Sequence, residues 1–106
     1  MDKETQARYA MRAEVAKALA HPTRLFLLEE LSKGERCVCE LVEMVGGDFS
    51  TVSKHLAILK NVGLVTDDKR GLKVFYRLTC PCIHGFFDCI EKVLRTNLEQ
   101  RMMALR

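Results

Sequence analysis

Residues 48–65, DFSTVSKHLAILKNVGLV, decide the fold of this 106-residue chain. Leu56, Leu59 and Gly63 fall within about 40° of Val52 on a helix that turns about 100° per residue, so these positions form its core-facing side. The aspartate at position 48 is a good N-cap for that helix. The opposite side is polar, which predicts an amphipathic helix with one face in solvent.

The neighbouring segments complete a helix-turn-helix with a wing. ELVEMVGG, residues 40–47, predicts a short helix stopped by two glycines. After the 48–62 helix, LVTD and LKVFYRLT are β-rich runs around the polar turn DKRG, which predicts a β-hairpin. The order of elements therefore predicts a mainly α fold with a β-hairpin wing, a winged helix-turn-helix that forms a single domain over residues 1–106.

Helices are also predicted at both ends of the chain. Residues 4–19 place Tyr9 and Leu19 on one apolar face, and Pro22 is well placed at the first position of a second helix. Pro81 opens a final helix that reaches the C-terminus, with an apolar stripe that includes Phe86. That helix has more apolar surface than so small a domain can easily cover, so we expect a partner chain.

Composition limits the class of protein. The chain is 48% hydrophobic and 29% charged, which is typical of a soluble globular domain. No apolar run approaches the roughly 20 residues that span a membrane, and the charged N-terminus is unlike a secretory signal. We therefore expect a cytoplasmic protein without a membrane partner. In that reducing compartment the five cysteines stay as thiols, which favours metal binding or redox sensing over a disulfide framework.

The polar face of the 48–62 helix and the hairpin carry side chains that DNA-binding proteins use. Hydroxyls and cations can reach base edges and phosphates. Residues 48–77 hold six Lys or Arg against three Asp, a surplus equal to the net charge of +3 of the whole chain. The alternative is a solvated helix face and, for His55, about 60° from the core axis, a packed boundary position. The predicted DNA-binding residues are Ser50, Thr51, Ser53, Lys54, His55, Lys69, Arg70 and Lys73.

Four segments together resemble the ArsR/SmtB metalloregulatory repressors. They are ALAHPTRLFLLEEL, CVCEL, STVSKHLAILKNVGLV and KRGLKVFYRL, and the match covers roughly residues 13–80. CVCEL is the most specific of the four. The resemblance implies a homodimer built through the first and last helices, which binds operator DNA and releases it when a thiophilic ion binds.

The cysteines form two C-x-C pairs, in ERCVCELV at residues 35–42 and in TCPCI at residues 79–83. Cys37 and Cys39 point to the same side if their segment is extended, whereas in a continuous helix they would lie about 200° apart. In a winged helix the short strand before the third helix usually pairs with the returning strand of the wing. That pairing would bring RCVC within about 4.8 Å of the segment leading into TCPC, so four thiolates could converge in one subunit. The predicted metal ligands are Cys37, Cys39, Cys80 and Cys82, the last of them at a helix N-terminus that favours its thiolate.

The identity of the ion stays open. Soft thiolates select arsenite or antimonite at three sulfurs, and cadmium, lead or zinc at four. Arsenite sensors of the resembled family often carry a third cysteine where this chain has Val42, so a site here must be completed by Cys80 or Cys82. The alternative for all four is that buried cysteine acts as a small hydrophobic residue. Cys89 lies about 10.5 Å along a helix from Cys82, so we assign it to packing or to a dimer interface.

These observations favour a repressor that releases its operator when a thiophilic ion binds, with arsenite or antimonite as the first choice. No organic cofactor is expected. The first alternative is a redox or persulfide sensor of the same fold. In that case the crosslink would run between the pairs, because thiols two residues apart make a strained disulfide. A thiol enzyme is not expected, since nothing indicates a substrate pocket. A metal-storage protein would leave the recognition helix and the wing without a purpose.

Overall fold

The computed structural model describes residues 1–105 and shows the predicted mainly α order of elements. Over that range, the chain forms five helices and a small antiparallel sheet of three strands. None of these helices is both long and apolar enough to cross a membrane. The elements are α1 (Lys3–Leu19), α2 (Pro22–Ser32), β1 (Arg36–Cys37), α3 (Val38–Val45), α4 (Phe49–Asn61), β2 (Val65–Arg70), β3 (Lys73–Leu78) and α5 (Ile83–Ala104).

The core lies where α2, α3 and α4 meet the sheet. The predicted inward face of α4 is confirmed at Val52, Leu56 and Leu59, which are fully buried, whereas Gly63 is exposed and lies beyond the end of the helix. The three buried residues pack in one cluster with leucines of the two preceding helices, and the strands close the cluster with Val65 and Tyr76. Burying these apolar side chains is the main driving force that holds the two helices of the helix-turn-helix together.

Both helices of the helix-turn-helix have well-formed ends. Asp48 caps α4 as predicted, since its carboxylate accepts a hydrogen bond of 2.7 Å from the backbone N–H of Thr51. Gly46 ends α3 with a φ of 75°, a left-handed conformation that glycine adopts without steric cost. The turn between the two helices is therefore defined by the conformation of Gly46 and the capping hydrogen bond of Asp48.

The sheet has the order β1-β3-β2, so β1 pairs with the returning strand of the wing, as the sequence predicts. Cys37 lies opposite Phe75 in this antiparallel register. The hairpin turn differs from the prediction at DKRG. β2 continues to Arg70, and the turn is Gly71 and Leu72, because Gly71 takes the positive φ of 64° that a two-residue hairpin needs.

Two predicted boundaries near the cysteines are wrong. The extended segment ends at Cys37, and Cys39 already lies in the first turn of α3. At the second pair, Pro81 belongs to a turn, and α5 begins at Ile83 with Cys82 as its N-cap.

The first and last helices leave apolar surface exposed. On α5 the exposed large apolar residues are Ile90, Val93, Leu94, Leu98, Met102 and Met103. A groove of about 470 Å³ runs between this helix, α2 and the end of α1. Leu19, Leu25 and Phe86 are among the residues that line it.

Candidate DNA-binding face and cysteine pairs

The start of α4 presents the predicted polar side chains outward. Ser50, Thr51 and Lys54 are exposed, and Ser53 is half-buried beside them. Asp48 caps this end of the helix, where its carboxylate accepts a hydrogen bond from the backbone N–H of Thr51. The arrangement matches a recognition helix that offers hydroxyls and a cation to DNA.

His55 is directed inward from that face, toward α2. Its Nδ1 lies 3.1 Å from the Nη1 of Arg24, and its ring centroid lies 4.4 Å from that of His21. Burial lowers the pKa of His55, and the neighbouring His21 and Arg24 charges lower it further. The structure therefore shows His55 in the packed boundary position, and we do not include it among the proposed DNA contacts.

The wing carries the remaining predicted cations. Lys69 and Lys73 are exposed. Arg70 forms a two-pronged ion pair with Glu35, at 2.6 and 2.8 Å, and a further ion pair with Asp68 at 2.9 Å. Its guanidinium also lies over the ring of Phe75. Arg70 is thus partly neutralised by its own chain, which leaves the two lysines as the freer cations of the wing.

The first cysteine pair lies where β1 becomes α3. Cys37 is buried and acts as the N-cap, because its Sγ accepts a hydrogen bond of 3.4 Å from the backbone N–H of Cys39. Glu40 completes a capping box by accepting from the backbone N–H of Cys37 at 3.2 Å. The cap position places the Sγ of Cys37 against the backbone of Cys39, and both residues line one cavity, even though the segment is not extended through Cys39.

The two thiols influence each other's protonation. A hydrogen bond from the Cys39 thiol lowers the pKa of Cys37, and the backbone N–H groups of Cys39 and Glu40 and the charge of Lys73 lower it further. The same thiol–thiol hydrogen bond raises the pKa of Cys39. A lowered pKa favours the thiolate of Cys37, and a thiolate is the form that binds soft ions.

The second pair does not meet the first one within the chain. β1 runs antiparallel to β3, so the residues after Cys37 lie beside positions before Phe75, away from Cys80. Cys80 follows Phe75 by five positions, a path of about 16 Å at about 3.3 Å per residue. Within residues 1–105, no group of three or more Cys, His, Asp or Glu side chains is placed to hold an ion. The strand register therefore argues against the predicted convergence of four thiolates in one subunit.

Cys80 and Cys82 contact each other instead. Their sulfur atoms pair as a disulfide within the C-x-C segment, and both residues are exposed. The expectation that a crosslink would run between the two pairs is not met. Cys89 is a free, exposed thiol on α5.

An open cavity of about 230 Å³ adjoins the first pair, and sequence reasoning missed it. Phe49 from the first turn of α4 and Leu72 from the wing turn contribute large apolar side chains that are 62% and 102% exposed. Exposed apolar residues beside two cysteines are the signal that could have indicated it. The lining residues are Cys37, Val38, Cys39, Phe49, Leu72, Lys73 and Val74.

Comparison with known proteins agrees with this fold. The family described as "Bacterial regulatory protein, arsR family" matches residues 21–67. The uncharacterized HTH-type transcriptional regulator Rv0081 of Mycobacterium tuberculosis is 34% identical over 96% of this chain and 90% of its own. The arsenical resistance operon repressor of Staphylococcus xylosus is 37% identical over 81% of this chain and 79% of its own.

A solved structure is similar over nearly the whole chain. The homodimeric winged helix-turn-helix DNA-binding domain Mb0332 of Mycobacterium bovis superposes with a TM-score of 0.80 at 31% identity. The match covers 94% of this chain and 93% of that domain. The chain therefore belongs to the arsR family of bacterial regulatory proteins, and it is a winged helix-turn-helix transcriptional regulator, not an enzyme.

Proposed function

We propose that the protein is a cytoplasmic repressor that binds operator DNA as a homodimer and is released when a thiophilic ion binds its cysteine thiolates. One observation carries this proposal. Cys37 is at once the end of β1, which pairs with the wing, and the N-cap of α3, the first helix of the helix-turn-helix. An ion bound there is connected to the wing through the pairing of β1 with β3 and to the recognition helix through α3, which packs on α4.

The DNA-binding part rests on the exposed face of α4 and on the wing. The residues that we propose to contact DNA are Ser50, Thr51, Ser53, Lys54, Lys69 and Lys73, with Arg70 after rearrangement of its ion pairs. His55 would support α4 from behind and not contact a base. In a dimer, the distance between the two recognition helices sets the spacing of the operator half-sites.

The dimer part rests on the exposed apolar surfaces of α1 and α5. Tyr9 and Met11 on the first helix and Val93, Leu94 and Leu98 on the last are more than half exposed. A second copy would cover this surface, and the Mycobacterium bovis domain is a homodimer of the same fold.

For the inducer, we propose arsenite or antimonite as the first choice. The Sγ of Cys37 accepts a hydrogen bond from the backbone N–H of Cys39, and both residues line one cavity, so we propose that they supply the first two sulfurs. Cys80 and Cys82 remain the proposed second pair, although the strand register places them away from Cys37 and Cys39 within one subunit. The Staphylococcus xylosus relative is named as an arsenical resistance operon repressor, which favours a metalloid over cadmium, lead or zinc at a four-thiolate site.

A redox sensor of the same fold is the second candidate, and one observation favours it. Cys80 and Cys82 are joined as a disulfide. Such a bond just before α5 could report oxidation or a persulfide to the helix that we propose for the dimer interface.

The experiment that separates these functions measures operator release. An operator selected from randomised duplexes is bound by reduced protein and followed by fluorescence anisotropy while arsenite, antimonite, cadmium, lead and zinc are titrated in turn. Native protein is compared with Cys37→Ser and Cys80→Ser. We expect arsenite or antimonite to release the native protein and to fail with Cys37→Ser. Release by an oxidant but by no ion would replace ion sensing with the redox function.

A further inference from the structure

We propose that Glu35 opposes DNA binding by the wing: it holds the Arg70 side chain in a retracted position and competes with operator phosphate for its guanidinium. Such a contact matters only if the wing binds DNA, so it rests on the proposed function and adds an internal regulatory contact to it. Three features support it, namely the position of the guanidinium, the use of its N–H groups and the charges around it.

The Arg70 side chain is directed back along the sheet. Arg70 is the last residue of β2 and directly precedes the wing turn at Gly71 and Leu72. Its guanidinium carbon, however, lies 4.6 Å from the ring centre of Phe75. Phe75 pairs with Asp68, two positions before Arg70 on β2. The charged group therefore lies over the middle of the hairpin and not at its tip.

Both edges of the guanidinium that suit a phosphate are occupied by carboxylates. Nη1 and Nη2 of Arg70 donate to the two carboxylate oxygens of Glu35, at 2.6 and 2.8 Å, and Nε donates to Asp68 at 2.9 Å. A guanidinium binds carboxylate and phosphate in the same two-pronged way, through a pair of N–H groups on one edge. A phosphate that binds Arg70 in this way must therefore displace one of the two carboxylates.

Glu35 reaches Arg70 from the opposite side of the sheet. Glu35 immediately precedes β1, whereas Arg70 ends β2, and these two strands flank β3 on either side. The ion pair thus spans the central strand, above Phe75. The Arg70 side chain is 48% exposed and that of Glu35 is 32% exposed, so the pair is accessible to a phosphate that would replace the carboxylate.

The charges around the guanidinium favour the retracted position. The carboxylates of Glu35 and Asp68 surround one guanidinium, so the cluster has an excess of negative charge, which opposes the approach of phosphate. Lys73 lies directly opposite Arg70 in the strand register. Like charges in that position repel each other, which disfavours both cations extending together toward the tip. Loss of the Glu35 charge should therefore give the wing a second cation beside Lys73.

The test measures the affinity of Glu35→Gln for the selected operator duplex by fluorescence anisotropy at several salt concentrations. Glutamine keeps the size of the side chain and removes its charge. We expect Glu35→Gln to bind the operator about threefold more tightly than the native protein at low salt, since an exposed ion pair contributes about that factor. The slope of log affinity against log salt should become steeper by up to about 1, as for one additional phosphate contact.

Two comparisons show whether Glu35 acts through Arg70. In an Arg70→Ala background, Glu35→Gln should leave both the operator affinity and the salt slope unchanged. Glu30→Gln removes the same charge from an ion pair with Lys33 at the end of α2, and it should stay near the native values. These comparisons separate release of Arg70 from a general change in the net charge of the protein.

A measurement without DNA examines the retracted position by itself. In NMR spectra of the free protein, the Nε–H of Arg70 should exchange with water more slowly in the native chain than in Asp68→Ala, which lacks its acceptor. Equal exchange in both would mean that the guanidinium is not held, and the inference would fail.

The binding experiment also separates this inference from the proposed function. If Glu35→Gln binds the operator no more tightly than the native protein, or if it gains equally in the Arg70→Ala background, the inference fails and the proposed function stands. If the native protein binds no operator, both fail.

Discussion

Arg24, at the start of α2, donates a hydrogen bond from Nη1 to the Nδ1 of His55 on α4, across 3.1 Å. A guanidinium can only donate, so Nδ1 is the unprotonated nitrogen of the ring. The same guanidinium donates to the carbonyls of Ala18 at 2.6 Å and Lys17 at 3.3 Å. These carbonyls end α1, where a cation is favoured by the helix dipole. One side chain thus joins α1, α2 and the recognition helix.

This contact predicts a loss of stability at acidic pH. Burial lowers the pKa of His55 below its ordinary value of 6.5, and His21 and Arg24 add to that effect. Below that pH the unfolded chain binds a proton that the folded chain resists, so the free energy of unfolding falls as the pH decreases. Denaturant unfolding at pH 8 and pH 5.5 measures the difference, and His55→Gln should reduce it. The exposed His84→Gln is the control, and an equal pH dependence in both variants would contradict the prediction.

Cys37→Ser should separate folding from sensing. Serine is a preferred N-cap residue, so its hydroxyl can replace the sulfur that accepts from the backbone N–H of Cys39. We expect the melting temperature and operator affinity to stay near the native values, while release by arsenicals is lost. Cys89→Ser, at a free and exposed thiol on α5, should keep the native response. Native release by the Cys37 variant would remove this residue from the sensing site.

Lys54→Ala should weaken operator binding through loss of a phosphate contact. The side chain is exposed on the outer face of α4. Affinity should fall for all DNA sequences, and the slope of log affinity against log salt should decrease by about 1. Anisotropy titrations between low and moderate salt measure that slope. Lys33→Ala, which removes an exposed cation paired with Glu30 beyond α2, should leave the slope unchanged.

Asp48→Ala should loosen the recognition helix at the end that faces DNA. Its carboxylate accepts the N–H of Thr51 at 2.7 Å, and this hydrogen bond lowers the pKa of Asp48 below 3.8. The ionised cap therefore stabilises the folded chain above pH 3.8, and this stabilisation is lost as the pH falls through the lowered pKa of Asp48. We expect a lower melting temperature at pH 7 and weaker operator binding.

Asp2 offers a matched control for that change. It caps α1 by the same bond, from Thr5 at 2.7 Å, on a helix that carries none of the proposed DNA contacts. Asp2→Ala should reduce helix stability without weakening the binding of DNA to an intact dimer, which sedimentation can verify. Equal losses of operator affinity in both variants would show that the cap of α4 has no special role.

Leu56→Ala tests the core beneath the recognition helix. Leu56 is fully buried, so the cavity left behind should lower the free energy of unfolding by about 2–5 kcal/mol. Ile58, two positions along the same helix, is 39% exposed, and Ile58→Ala should cost about 1 kcal/mol or less. Denaturant titration of both variants measures the difference. Similar values would mean that the inward face of α4 is not the one described.

Much of the fold could be predicted because it depends on interactions between residues close together in the chain. The apolar repeat through Val52, Leu56 and Leu59 determines which side of α4 is inward, and Asp48 defines where the helix begins. A hairpin around Gly71 is equally local, although the exact turn was displaced because a polar strand end resembles a turn in composition.

The candidate sites were only partly predictable. The sequence predicted which polar residues of α4 lie outside the core and that Cys37 and Cys39 are neighbours, whereas their roles in binding DNA and an ion stay predictions. It did not indicate that Arg70 would be held by Glu35, thirty-five positions away, or that His55 would bond to Arg24. Charge and residue type reveal what a side chain can bind, whereas the partner it finds depends on distant parts of the chain.

The sequence by itself determined the order of the helices, the cap of α4, its polar face and the presence of two thiol pairs, because these follow from spacing along the chain. The tertiary structure alone decided where the pairs lie. Antiparallel pairing of Cys37 with Phe75 directs the first pair away from Cys80, and the wing turn brings Leu72 beside it. The reason is that strand register and the contacts between elements depend on how distant parts of the chain pack together. Spacing along the sequence does not reveal that packing.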